Sequence, residues 1–299
     1  MNRPQPRAPG ASDYQKGLLI TFIAGFLLTF DAPLIRMAQT DQWTTMFWRS
    51  ALTTYAILMF WAFRKASGRP VASLAVGRYG VIAGVFYGIA NACFVIALSH
   101  TSVANVVFIL ALMPMIAALA SFFIIGDRPA LETVIAFIVS LGGVLIIVWE
   151  GFKLGSTFGD LLALGAAISM GIAFTVARFS KRDLSMMPAI GALLPLLLAG
   201  FFVTKGTFLL GGGQWLWLGL DGLFVIPVSA ALFALGTKYI TAAEVAMFFL
   251  IETVLAPVWV WLLMSEEPSK GSIVGGAIIL TTLALHSYIR LQRSKSANR

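Results

Sequence analysis

Cysteine occurs once, at Cys93, and histidine only twice in 299 residues. One cysteine excludes a disulfide framework, and so few thiols and imidazoles leave no basis for a Cys/His metal site. No cofactor is expected. Charge is scarce too: Asp, Glu, Lys and Arg make up 11% of the chain, against 59% hydrophobic residues. Mean hydropathy is +0.89. A water-soluble fold needs polar residues to cover its outside, and this chain has too few. The composition is that of an integral membrane protein. The sequence has no G-x-x-x-x-G-K-[ST] phosphate loop and no polar segment of domain size, which argues against an ATP-driven pump. The net charge of +8 is read as orientation charge in loops, so no nucleic-acid partner is expected.

What the chain has is apolar runs. A membrane helix needs about 20 mainly apolar residues. Ten such segments can be drawn, at 17–38, 44–64, 78–98, 103–125, 131–149, 157–178, 186–206, 216–237, 242–264 and 271–290. The expected fold is therefore all-α and membrane-embedded. The longest link is the basic stretch from Arg64 to Gly77, and residues 1–12 form a Pro-rich polar tail. No small-residue cleavage site follows a short apolar core, so no cleavable signal peptide is expected. With the N-terminus in the cytoplasm, sixteen of the 21 Lys and Arg fall on the cytoplasmic side. That bias places both termini inside and requires an even number of helices. Most Trp residues, including Trp43, Trp149, Trp215 and Trp261, fall toward the opposite helix ends and suit an interfacial belt.

The chain also repeats. TSVANVVFILALMPMIAALASFFIIGDRP, from Thr101, parallels TAAEVAMFFLIETVLAPVWVWLLMSEEP, from Thr241. Each stretch is a helix, an acidic-Pro loop, then a helix with a Gly pair, Gly142-Gly143 or Gly275-Gly276. The repeating unit is five helices. An odd unit enters the membrane from opposite sides in its two copies, giving an inverted repeat with a site at the repeat interface. The expected division is a tail at 1–16, repeats at 17–149 and 150–290, and a tail at 291–299.

The polar residues inside the apolar runs are the candidate site. Glu252 lies near the middle of the ninth segment, with Val245, Phe248, Ala256 and Trp259 on its helical face. A charge at the bilayer centre costs at least ~2.5 kcal/mol. Glu252 is read as an ammonium contact or a proton-coupling carboxyl; the plainer reading is an acid that satisfies a helix loosened by Pro257. Asp31 in the first segment and Arg49 in the second come out at one depth and suggest a buried ion pair, structural or substrate-facing. Thr45 and Thr53 share Arg49's face and are placed to complete its hydrogen bonds. Tyr87 and Asn91 share one face of the third segment, and Asn105 and Phe108 one face of the fourth. Amides are costly against lipid, so these should face a cavity or a partner helix. Phe174 and Met170 are weaker candidates, with core packing as the plainer reading. Asp31 and Glu252 fall at different depths and are not expected to converge. The G-x-x-x-G of Gly271 and Gly275 is read as close packing against the fifth segment, not a dimer seam, so the chain reads as a monomer. Lys238 and Glu244 are placed to pair across a turn, and His286 reads as a packing residue. Pro33, Pro114, Pro227 and Pro257 are expected to kink their helices.

The runs ANVVF…LMP…GDRP…LGGVLII and FLIETVLAP…SEEP…GGAIIL resemble the two EamA units of the drug/metabolite transporter superfamily. The resemblance spans the whole chain. It implies a ten-helix alternating-access carrier of the bacterial inner membrane, not an enzyme, whose partners are lipid and a small metabolite. Amino-acid exporters of the YddG type are the preferred comparison. Members often carry Glu-Pro where Glu252 stands; here Thr253 follows, and the proline is displaced to Pro257. The implied cavity lies among the first, third, fourth, sixth, eighth and ninth segments. Carriers for lipophilic cations or for nucleotide sugars stay open as alternatives. The latter needs several cavity cations, and only Arg49 qualifies.

Overall fold

The computed structural model describes residues 11–68, 71, 77–126, 130–180, 187–202, 209–236, 239 and 242–297. Among these there are helices and no strands. The helices are α1 (Ala11–Leu28), α2 (Asp31–Ala38), α3 (Gln42–Ala66), α4 (Gly77–His100), α5 (Val103–Leu110), α6 (Met113–Ile125) and α7 (Leu131–Leu154). They continue with α8 (Thr157–Ser180), α9 (Met187–Phe202), α10 (Gly212–Gly219), α11 (Ile226–Gly236), α12 (Ala242–Met264) and α13 (Lys270–Ala297). A π-helical turn, Leu220–Val225, joins α10 to α11. Among the described residues, six stretches are long and apolar enough to cross a membrane: Tyr14–Ala38, Gly77–His100, Val103–Ile124, Leu131–Leu154, Thr157–Ala177 and Gly212–Phe233. Shorter apolar helices run Ala189–Phe201, Ile251–Met264 and Lys270–His286.

Prolines account for the breaks. Pro33 has no N–H for the carbonyl of Thr29. The chain there closes two tight bonds instead, Thr29 N–H to Phe26 O and Phe30 N–H to Leu27 O, and α2 starts afresh at Asp31. Pro114 does the same to the carbonyl of Leu110, and α5 gives way to α6 around Ala111 and Leu112. Pro227 follows the π-helical turn. Pro257 is the exception to the expected kinks: α12 runs through it without interruption.

The packing is inside-out relative to a soluble protein. Ala24, Ala83, Ala97, Ala163, Ala166, Ala167, Ala173, Ala199 and Ala256 are fully buried, while Phe63, Phe123, Ile138, Leu145, Trp149 and Phe201 are each more than 60% exposed. Small residues inside let backbones approach, and large apolar ones outside suit lipid. The glycines follow this rule. A Cβ on Gly275 would meet Gly143 O at 2.5 Å, and one on Gly143 would meet Gly275 O at 2.8 Å. Thus α13 packs on α7 through the anticipated glycines. Gly88 of α4 lies equally close to Gly191 of α9. Lys238 and Glu244 fall outside the described side chains.

Candidate functional site

The break at Thr29–Phe30 places Asp31 in the first turn of α2, where helix N–H groups favour an acid. Two turns into α3 stands Arg49. Their ion pair is made: Arg49 Nη2 donates to Asp31 Oδ2 at 2.8 Å and to Oδ1 at 3.1 Å. A second acid, not singled out in the sequence, joins them. Arg49 Nε donates to Asp221 Oδ2 at 3.0 Å, from the π-helical turn. Gly222 makes this approach possible, since a Cβ there would meet Leu52 Cβ at 2.8 Å and Arg49 O at 3.2 Å. Arg49 Nη1 donates to Asn91 Oδ1 on α4. Its guanidinium carbon also lies 5.5 Å from the centre of the Phe94 ring. Tyr87, one turn before Asn91, lies within hydrogen-bonding reach of it and packs against Gly191 of α9. Asp31, Arg49 and Asp221 are 5%, 6% and 0% exposed. Thr45 and Thr53 do not serve Arg49: Thr45 bonds Thr40, and the Thr53 hydroxyl has no partner among the described residues.

Glu252, half-buried on α12, lies in electrostatic reach of both Asp31 and Arg49. Counting residues along straight helices puts Asp31 and Glu252 at separate depths, and in the structure they interact electrostatically without a hydrogen bond between them. Trp259, two turns along from Glu252, is not a free belt residue. Its Nε1–H donates to Thr29 Oγ1 at 3.0 Å, and its ring stacks on Phe30 at 5.4 Å. Phe26 meets Phe30 edge-on at 5.5 Å. Phe248 sits on the same face of α12, its backbone against Gly25 of α1. These aromatic contacts join α1 and α2 to the face of α12 that carries Glu252. Phe174 is 38% exposed on α8 and joins none of these contacts.

Asn105 and Phe108 belong elsewhere. Asn105 Nδ2 donates to Asp160 Oδ1 at 2.8 Å and to Thr101 Oγ1 at 3.1 Å, and Ser272 Oγ donates to Asn105 Oδ1. Phe108 packs flat over Gly276 of α13. Both are helix-packing residues. They sit beneath a polar network at the end of the bundle that carries Arg36. There Arg36 Nη2 donates to Thr101 O at 2.6 Å, and Arg36 Nε lies 3.3 Å from Glu266 Oε2. Glu266 Oε1 accepts from Val103 N–H at 2.8 Å, capping α5. Glu150 of α7 accepts from Ser269 Oγ at 2.6 Å and from Gly271 N–H. Ser265, at φ 56°, turns the chain after α12 so that Glu266 faces Arg36. Of these acids only Glu266, within the acidic-Pro loop SEEP, stands out in the sequence; Glu150 and Asp160 are not singled out there. His286 takes a packing role, with its Nε2 2.9 Å from Thr133 Oγ1.

Comparison with known proteins decides the family. The model of the EamA-like transporter family matches twice, over residues 15–149 and 157–288. The chain belongs to that family. It is part of the drug/metabolite transporter superfamily, as the loop motifs implied. The pseudopaline exporter CntI of Pseudomonas aeruginosa is 23% identical over 289 residues, covering 94% of this chain and 97% of that protein. An uncharacterized transporter of Synechocystis is 23% identical over 222 residues, covering 67% of this chain and 62% of that one. A solved crystal structure shares the fold with a TM-score of 0.64 at 17% identity, over 92% of this chain and 98% of its own. In this EamA-like transporter the Arg49 cluster spans the two matches. Asp31, Arg49, Tyr87 and Asn91 come from the first, and Asp221, Glu252 and Trp259 from the second.

Proposed function

We propose that the protein exports amino acids or similar small amine-bearing metabolites across the bacterial inner membrane, by alternating access. The observation that carries this is the charge cluster shared between the two matched stretches. A group held by both halves senses any rocking of one against the other. The ten apolar segments then form two inverted five-helix repeats, with both termini cytoplasmic and the Arg36 end facing outward. The chain works as a monomer, with lipid and substrate as its partners.

The chemistry favours a substrate with a cationic group. Arg49 faces two carboxylates directly and a third, Glu252, in its field. Acid exceeds base. An ammonium would bind at Glu252, against the ring faces of Phe30 and Trp259, and a substrate carboxylate would take the spare Nη1 donor of Arg49. The name of the Pseudomonas relative supports export as the direction. The aromatic contacts on the Glu252 face of α12 also support a second reading, export of lipophilic cations, in which quaternary ammonium compounds stabilise the purified protein.

Counterflow of labelled amino acids in proteoliposomes tests the first reading. Saturable exchange is expected in the wild type and is lost in Glu252→Gln. If no amino acid moves while a quaternary ammonium compound does, the second reading replaces the first.

A further inference from the structure

Asp31 and Asp221 occupy one edge of a single guanidinium. The Nε and Nη2 donors of arginine form a fork that fits the two oxygens of one carboxylate. Here Nε is taken by Asp221 and Nη2 by Asp31. Two carboxylates therefore stand side by side, within hydrogen-bonding reach of each other. Neither can donate to the other when both are ionised. The consequence is visible: Asp221 Oδ1 is buried and has no partner among the described residues. A buried carboxylate oxygen left unpaired is costly, and two like charges at contact are costlier. The groups facing the pair are Arg49 from α3, Tyr87 and Asn91 from α4, and Glu252 from α12. None besides Arg49 is a cation. Arg49 and its two aspartates, the groups in direct contact, thus form a cluster one positive charge short of neutrality, in a place where charge is expensive; Glu252 stands outside that contact as the partner for a substrate ammonium.

We propose that Asp31 and Asp221 share one proton and form the proton-binding site of this protein. A single proton supplies the missing donor and brings the cluster to neutrality. The π-helical turn that presents Asp221 is the kind of local irregularity found where a helix carries function. The site's position between the two matched stretches gives the proton a role in export, and that role rests on the carrier reading above. A proton enters from the Arg36 side as a substrate ammonium departs. On the inner side the next ammonium displaces the proton, so the net charge of the site is the same in both states and one proton exchanges for one cationic group.

The proton itself can be read without any substrate. Infrared spectra of the purified protein in water and in deuterium oxide should show the C=O stretch of a buried un-ionised carboxyl. That component should vanish in Asp221→Asn and equally in Asp31→Asn, because either remaining aspartate alone neutralises Arg49. It should persist in Glu252→Gln. The proposal is overturned if the wild type lacks the component, if it survives in either aspartate variant, or if Glu252→Gln alone removes it. Should the Asn variants fail to fold, Asp221→Glu keeps both carboxyls, and an unmoved band would equally overturn the assignment. No transport enters this measurement, so its failure and that of the counterflow experiment are separable.

Discussion

Arg49 is the residue on which the interior depends. It holds Asp31, Asp221 and Asn91 through three separate nitrogens. A lysine has three donors but all on one nitrogen, so it lacks the planar spread that lets three separate nitrogens reach three partners. Removing one partner of a buried ion pair costs about 3–5 kcal/mol, because it strands the other charge. Arg49→Ala should therefore lower the melting temperature of the detergent-purified protein sharply, and Arg49→Lys should lower it less. Adding Asp221→Asn to Arg49→Ala should restore part of the loss. An Arg49→Ala protein that melts like the wild type would show that the cluster does not hold the fold. The sequence made half of this cluster legible. Opposite charges at one depth on sequential helices announced the Asp31–Arg49 pair. Asp221 carried the same signal as Glu252, a lone acid in an apolar run. With the eighth segment starting at residue 216, Asp221 falls near a helix end, where an acid is inexpensive. The helix begins at Gly212, which sets Asp221 deeper. Asn105 shows the opposite limit: its spacing fixed a face but not the neighbour on that face.

At the scale of the element, the breaks matter more than the helices. Pro33 resets α2 so that Asp31 opens a helix, and Pro227 ends the π-helical turn that presents Asp221. Both prolines were visible as kinks in the sequence. That Pro227 would leave a widened turn, with Ile226 N–H reaching back to Asp221 O, was not. A proline states which donor is missing, not how the preceding turn redistributes its bonds. Pro257 makes the same point, since α12 absorbs it. Pro227→Ala restores the donor and allows ordinary helical winding through Leu220–Val225, which rotates Asp221 off the guanidinium edge. The expected result is a folded protein whose shared-proton infrared component is lost although both aspartates remain. Retention of that component would mean that Asp221 is aimed by the close approach of Gly222 to Leu52, not by the widened turn.

At the scale of the whole molecule, the Arg36 end of the bundle carries a dense set of polar contacts among the described residues. The Arg36 end is tied by Arg36–Glu266, by Glu266 on the start of α5, by Glu150 on the start of α13 and by Asp160 on Thr101. These join α2, α5, α7, α8 and the loop before α13. Beneath them Ser102, Val103, Ala104, Pro257, Val260, Glu266 and Pro268 border a closed crevice with no room for a water molecule. On the alternating-access reading proposed above, such ties close the side on which they lie, and this structure is then the state closed at the Arg36 end. Glu266 does most of the joining, because one carboxylate serves both a guanidinium and a helix start. Glu266→Gln keeps its shape but removes the charge that holds Arg36. The single native cysteine makes this measurable: in a Cys93→Ser background, Val103→Cys reports access to the crevice. A membrane-impermeant maleimide applied from outside should label that position slowly with Glu266 present and markedly faster in Glu266→Gln. Equal rates would mean that the remaining ties at Glu150 and Asp160 suffice to keep this end shut. Labelling only from the cytoplasmic side would instead reverse the orientation assigned to the bundle.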